Sequence, residues 1–127
     1  MEENADSLKT ILIVDDDEAV AKVMKSHLEP EGYAVLVEGT GRAAMETVQS
    51  ADKLYAVLLD LGLPDMDGME VLSAIKKKNP HLNVIVVTGS HDESKGRQAY
   101  ELGAWDYVTK PIDFKYLKNI LLLIMPS

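Results

Sequence analysis

Five short apolar runs, rich in β-branched residues, punctuate the chain: Thr10 to Val14, Ala34 to Val37, Tyr55 to Leu59, Asn83 to Val87 and Asp106 to Thr109. Most are apolar without alternation, and a strand that is apolar on both faces must be covered on both faces. Amphipathic stretches between the runs supply that cover. Apolar residues return at helical spacing at Ala19, Val20, Val23, Met24 and Leu28, at Ala43, Ala44 and Val48, and at Met69, Val71, Leu72 and Ile75. Each set predicts a helix whose stripe faces the core. Strand and helix therefore alternate about five times, the pattern of βαβ units around a parallel sheet with helices on both sides. Pro30 with Gly32, Asn79 with Pro80, and Gly103 are expected to stop helices, and Thr40, Asp92 and Asp113 to cap helix starts.

The last stretch fits less simply. Ile120-Leu121-Leu122-Leu123-Ile124-Met125 is apolar around the whole circumference of a helix, which predicts burial of two faces. Either it packs tightly at the sheet edge, or its outer side meets a partner or joins a further segment. At 127 residues and 46% apolar content, one core and one domain are expected. That domain should run over residues 8–125, between a flexible tail at 1–7 and a short tail at 126–127.

Several classes of function are disfavoured. Twenty-one acids against 13 bases give a formal charge of −8, which repels the phosphate backbone that nonspecific nucleic-acid binding requires. Cysteine is absent, so thiol redox chemistry and thiolate metal sites are out. No apolar run approaches the roughly 20 residues of a membrane span, and the polar, acidic start lacks a secretory leader. The cytoplasm is the expected compartment.

The ends of the strands carry the chemistry. Asp15 and Asp16 follow the first run, Asp60 the third, Thr88 the fourth and Lys110, before Pro111, the fifth. In an open parallel sheet, ligands bind beyond the carboxyl ends of the strands, so these residues are expected to converge. Three carboxylates in one crevice would repel one another unless a cation joins them. Mg²⁺ suits carboxylate and carbonyl oxygens and often shares a phosphoryl group; Lys110 adds a positive charge and Thr88 a hydroxyl. A blander role is also open to Asp15 or Asp16, either of which could cap the following helix.

Ile11-Leu12-Ile13-Val14-Asp15-Asp16-Asp17, Leu58-Leu59-Asp60 with Leu63-Pro64-Asp65-Met66-Asp67-Gly68, Val86-Val87-Thr88-Gly89 and Val108-Thr109-Lys110-Pro111 together resemble the receiver domain of two-component response regulators. The resemblance spans essentially the whole chain. It implies a flavodoxin-like (βα)₅ three-layer sandwich with a parallel five-stranded sheet of order 2-1-3-4-5. It implies Asp60 as phosphoacceptor from a sensor histidine kinase or histidine phosphotransfer protein. Asp16, Asp60 and the Gly62 carbonyl would bind Mg²⁺, with Mn²⁺ as a substitute and Asp15 acting through water. Lys110 would hold phosphoryl oxygens, and Lys110-Pro111 would be a cis peptide.

The same resemblance makes Thr88 and Tyr107 the switch pair, Tyr107 moving from exposed to buried, and lets Gly62 and Ser90 tune dephosphorylation. The output would use the face of the fourth helix, fifth strand and fifth helix, with dimerisation through the last helix as one form. The chain would assist its own modification without turning over a separate substrate. An aspartyl-phosphate hydrolase of the haloacid dehalogenase type would need a second acid where Gly62 stands, and a Gly-rich nucleotide loop would need glycines where Asp15-Asp16-Asp17 stand. A receiver-like domain that has lost phosphorylation is opposed by the intact Asp16, Asp60, Thr88 and Lys110. The output domain and the cognate kinase are not written in the chain.

Overall fold

The structure is a computed structural model and describes residues 8–51, 53–89 and 91–124. Strands β1 (Thr10–Val14), β2 (Ala34–Glu38), β3 (Ala56–Leu59), β4 (Asn83–Thr88) and β5 (Asp106–Thr109) alternate with helices α1 (Glu18–Leu28), α2 (Gly41–Ser50), α3 (Gly68–Lys78), α4 (Glu93–Glu101) and α5 (Phe114–Leu123). A 3₁₀ turn at Glu29–Glu31 follows α1 and ends on Gly32, whose φ of 97° favours glycine. The strands form one parallel sheet in the order 2-1-3-4-5.

Side-chain alternation along the central strands separates two cores. Ile11, Ile13, Leu58, Ile85 and Val87 pack with Met24 and Leu28 of α1 and Leu117 and Leu121 of α5. Leu12, Val14, Val57, Leu59, Val84 and Val86 pack with α2, α3 and Ala99 of α4. Both faces are thus covered, as the unbroken apolar runs required. Burying each such Leu or Ile contributes on the order of 1.5–3 kcal/mol, so this double cover is the main force holding the strand ends in place.

The structure departs from the sequence reading in three places. The α1 stripe is rotated: Ala21, Met24 and Leu28 face the core, while Ala19 is exposed and Val23 is 47% exposed. Val20 and Val23 instead line an apolar groove of about 320 Å³ with Ala19, Lys110, Pro111, Ile112 and Phe114. β2 is an edge strand, so Leu36 and Val37 remain exposed. Finally, α5 buries one face rather than two: Leu117, Ile120 and Leu121 sit on the sheet, whereas Leu122 and Leu123 are 75% and 68% exposed because no described element lies over them.

Side chains cap all five α-helices. Thr40, Asp92 and Asp113 do so as expected, and Asp17 and Asp67 do so for α1 and α3. The Tyr55 hydroxyl is shared between the carbonyls of Leu121 and Ile124. It satisfies acceptors that the end of α5 would otherwise leave open. No helix among the described residues is long and apolar enough to cross a membrane.

Candidate functional site

Register places the acids. Val14 of β1 pairs with Leu59 of β3, so the next residue of each strand, Asp15 and Asp60, leaves the sheet at one level. The Asp60 amide donates to the Val14 carbonyl at 2.9 Å and the Asp15 amide to the Glu38 carbonyl at 3.0 Å, extending the ladder to the site itself. At the other side Thr88 pairs with Thr109, and the Lys110 amide donates to the Thr88 carbonyl at 2.8 Å. Lys110 is thereby turned back over the sheet end.

Its ammonium contacts Asp15 Oδ2 at 2.8 Å and Asp60 Oδ2 at 3.1 Å. The remaining carboxylate oxygens accept amides: Asp15 Oδ1 from Asp17 at 2.9 Å and Asp60 Oδ1 from Gly62 at 3.1 Å. The Asp15 side chain is 1% exposed and that of Asp60 12%, while Asp16 is exposed. Asp60 is therefore held on both oxygens yet still reachable. Burial alone would push the Lys110 ammonium down from 10.5, but the hydrogen bonds to Asp15 and Asp60 outweigh it and the net displacement is upward. Lys110 is therefore a charged ammonium throughout the neutral pH range.

Carboxylate oxygens of Asp15, Asp16 and Asp60 all lie within 4.8 Å of one another. Three carboxylates against one ammonium leave two formal negative charges in this small volume. The donor set is all oxygen. A hard divalent cation such as Mg²⁺ fits both the charge and the ligand type.

The other residues singled out in the sequence are less uniform in their placement. Thr88 is buried, 5% exposed, at the end of β4. Gly62 holds Asp60 through its amide. Tyr107 is half-buried rather than exposed, its ring facing α4, where a Cβ at Gly96 would sit 3.6 Å from it. The Lys110-Pro111 peptide is cis. Ser90 lies outside the described residues, as do the two proposed tails and Met125.

Asp65 escaped notice as a functional residue in the sequence. Its carboxylate accepts the Gly41 amide at 2.8 Å and the Arg42 amide at 3.0 Å, across 24 and 23 residues of chain. The only hint in the sequence is an acid near Pro64 in the loop after β3, which most turns would offer. Glu38 is a second unforeseen contributor: its carbonyl fixes Asp15 and its carboxylate accepts the Thr47 hydroxyl at 2.6 Å.

A family model, the response regulator receiver domain, matches residues 11–122. The chain belongs to this family. The receiver is 36% identical over 109 residues to a cyclic di-GMP phosphodiesterase of Thermotoga maritima, covering 86% of this chain and 29% of that protein. It is 36% identical to the transcriptional regulatory protein ZraR of Klebsiella oxytoca, with 87% of this chain and 25% of ZraR covered. It is 33% identical to the photosynthetic apparatus regulatory protein RegA of Rhodobacter capsulatus, with 90% and 61% covered. The chain thus spans between a quarter and about three fifths of the length of these curated relatives.

Among solved structures, a CheY-like response regulator receiver domain protein from Methanospirillum hungatei superposes with a TM-score of 0.87 at 34% identity, over 92% of this chain and 93% of that one. Receiver domains are the signalling switches of two-component systems, generally without turnover of a separate substrate. Phosphorylation-dependent signalling is therefore the class of function here.

Proposed function

We propose that this receiver accepts a phosphoryl group on Asp60 from the phosphohistidine of a sensor histidine kinase or histidine phosphotransfer protein in the cytoplasm. The supporting observation is the Lys110 ammonium lying between Asp15 and Asp60 while Asp60 keeps solvent access. An Asp60 carboxylate oxygen attacks phosphorus, an acyl-phosphate P–O bond forms, and the P–N bond breaks with its electron pair returning to the imidazole. Transfer of this kind needs alignment and neutralised charge more than covalent assistance. Lys110 is placed to follow the charge from the carboxylate to the new phosphoryl oxygens.

Asp16, Asp60 and the Gly62 carbonyl would hold Mg²⁺, with Asp15 acting through water, and the metal would supply charge neutralisation on the transferring oxygens. Asp15 also has a protein role, since it draws Lys110 and anchors the Asp17 amide.

The donor protein would dock on the apolar groove between α1 and the β5–α5 connection, which shares Lys110 with the acid site. Continuity with the site supports that choice, because a docked partner would then sit beside Asp60 and exclude water there. Once formed, the mark would be read through Thr88 and Tyr107. The reader would be the α4–β5–α5 face, and the exposed Leu122 and Leu123 of α5 would offer further apolar surface to an output partner or a second copy of the chain. Gly62 and Ser90 would set access of water to the phosphoryl group.

Labelled phosphodonor gives the direct test. The wild type should take up label as an alkali-labile acyl phosphate and Asp60→Asn should take up none; equal labelling of Asp60→Asn would end this reading. Trp105, 39% exposed just before β5, should change emission with Mg²⁺ and a phosphoryl analogue in the wild type alone. Light scattering in both states tests the dimer.

A further inference from the structure

The loop from Asp60 to Asp67 carries the proposed acceptor and the proposed metal carbonyl, and its conformation is fixed from outside. It closes on itself through the Gly68 amide and the Leu61 carbonyl at 3.2 Å. Gly68 is required for that closure, since a Cβ there would lie 2.4 Å from the Leu61 Cα. Within the loop, Asp65 reaches across to the start of α2 and takes the amides of Gly41 and Arg42. Thr40 Oγ takes the Ala43 amide at 3.1 Å and the Thr40 carbonyl the Ala44 amide at 3.0 Å.

The first four amides of α2 are therefore satisfied, two by the helix's own cap and two by a carboxylate from the site loop. These hydrogen bonds hold the Asp65 carboxyl below its ordinary value of 3.8. The seam is tight: a Cβ on Gly41 would fall 2.5 Å from Met66 Cγ and 2.8 Å from Val71 Cγ2. Met66 and Asp65 thus dock as neighbours, one by shape and one by charge against the positive end of the helix.

We infer that Asp65 is a positioning residue, clamping the middle of the β3–α3 loop to the N-terminus of α2 so that Gly62 and Asp60 keep their geometry before any ligand arrives. The inference rests on the reading of Asp60 and Gly62 as site residues. The competing account is that Asp65 only caps α2. Under that account its loss would fray the helix and leave the loop alone.

Thr40→Ala separates the two, because it removes α2's own side-chain cap without touching the loop. The readouts are the Gly62 amide resonance in the metal-free protein, Mg²⁺ affinity by titration of that resonance, and the urea unfolding midpoint. Asp65→Ala should displace the Gly62 resonance without metal and weaken Mg²⁺ by up to about ten-fold, the low end of what loss of a direct outer partner of a ligand costs, because Asp65 acts on Gly62 only through the loop. Asp65→Asn keeps one acceptor oxygen and should fall between it and the wild type, and it serves if the alanine variant does not fold. Thr40→Ala should lower the midpoint but leave resonance and affinity unchanged.

A lowered midpoint for Asp65→Ala with a wild-type Gly62 resonance would overturn the inference. So would equal displacement by Thr40→Ala. Failure of the metal reading looks different: the wild type itself would not respond to Mg²⁺, and the metal-free Gly62 resonance would still decide the role of Asp65.

Discussion

Removing the charge of Asp60 should make the metal-free protein more stable. Asp60 is attracted to Lys110 at 3.1 Å and repelled by Asp15 and Asp16 at no more than 4.8 Å. At an effective dielectric of about 20, the attraction is worth about 5.5 kcal/mol and each repulsion costs about 3.5 kcal/mol, so the two repulsions together exceed it by about 1.5 kcal/mol. Asp16 is exposed and solvent screens its share, which brings the expected gain for Asp60→Asn below that, to about 0.5–1 kcal/mol. Lys110 keeps Asp15 as its partner at 2.8 Å, and the asparagine carbonyl oxygen can still accept the Gly62 amide.

Urea unfolding of both proteins without and with Mg²⁺ measures this. Without metal, Asp60→Asn should unfold at the higher midpoint with an unchanged slope. At a metal concentration about 100 times its dissociation constant the wild type should gain about 2.7 kcal/mol, while the variant, lacking one carboxylate of the donor set, should gain much less. The order of the two proteins should therefore reverse. A variant less stable than the wild type without metal would show that the Lys110 pair outweighs the repulsion and refute the electrostatic reasoning. An order that Mg²⁺ leaves untouched would refute the metal assignment.

Three further outcomes follow from other parts of the molecule. Val23→Glu, on the exposed side of α1, should slow phosphotransfer from a partner protein at least ten-fold, on the order of 1.4 kcal/mol, while leaving uptake from a small phosphodonor intact; equal losses in both assays would remove the groove as a docking site. The Tyr116 phenol, hydrogen-bonded to Asp106 and partly desolvated, is pushed up to about 12 from 10.0. Its contribution to stability is thus complete below pH 10 and lost as pH rises toward 12, and Asp106→Asn should bring its ultraviolet titration back toward the ordinary value. Gly68→Ala should cost about 1–3 kcal/mol in urea unfolding, since overpacking against backbone leaves no soft neighbour to move; a neutral result would show that the β3–α3 loop yields more easily than its geometry suggests.

The sheet and its site were legible because the same residues encode both. An unbroken apolar run announces a strand buried on two faces, and the first polar residue after it is the one that reaches the end of the sheet, which is how Asp15, Asp60 and Thr88 could be placed from sequence, whereas Lys110 follows the mixed run Asp106-Tyr107-Val108-Thr109 and is marked less by its strand than by Pro111 after it. Rotation of α1 was not legible. Ala19, Val20, Val23 and Met24 support two overlapping stripes, and only the path of the β5–α5 connection over Val20 and Val23 chooses between them. The outer side of α5 raised the same difficulty, for local composition records what is apolar and not what covers it.

Runs of adjacent acids were the hardest to read, and the structure gives each member a separate task. Asp15 pairs with Lys110 while Asp17, two residues on, caps α1; Asp65 holds α2 while Asp67 caps α3. The difference lies in what each carboxylate faces. Asp17, Asp65 and Asp67 face backbone amides at helix starts, donors that the fold must satisfy in any case. Asp15, Asp16 and Asp60 face one another, with a single ammonium, that of Lys110, among them in the described residues. A carboxylate spent on a helix start needs nothing more, whereas the three at the sheet end are left two positive charges short, a deficit that a divalent cation would fill.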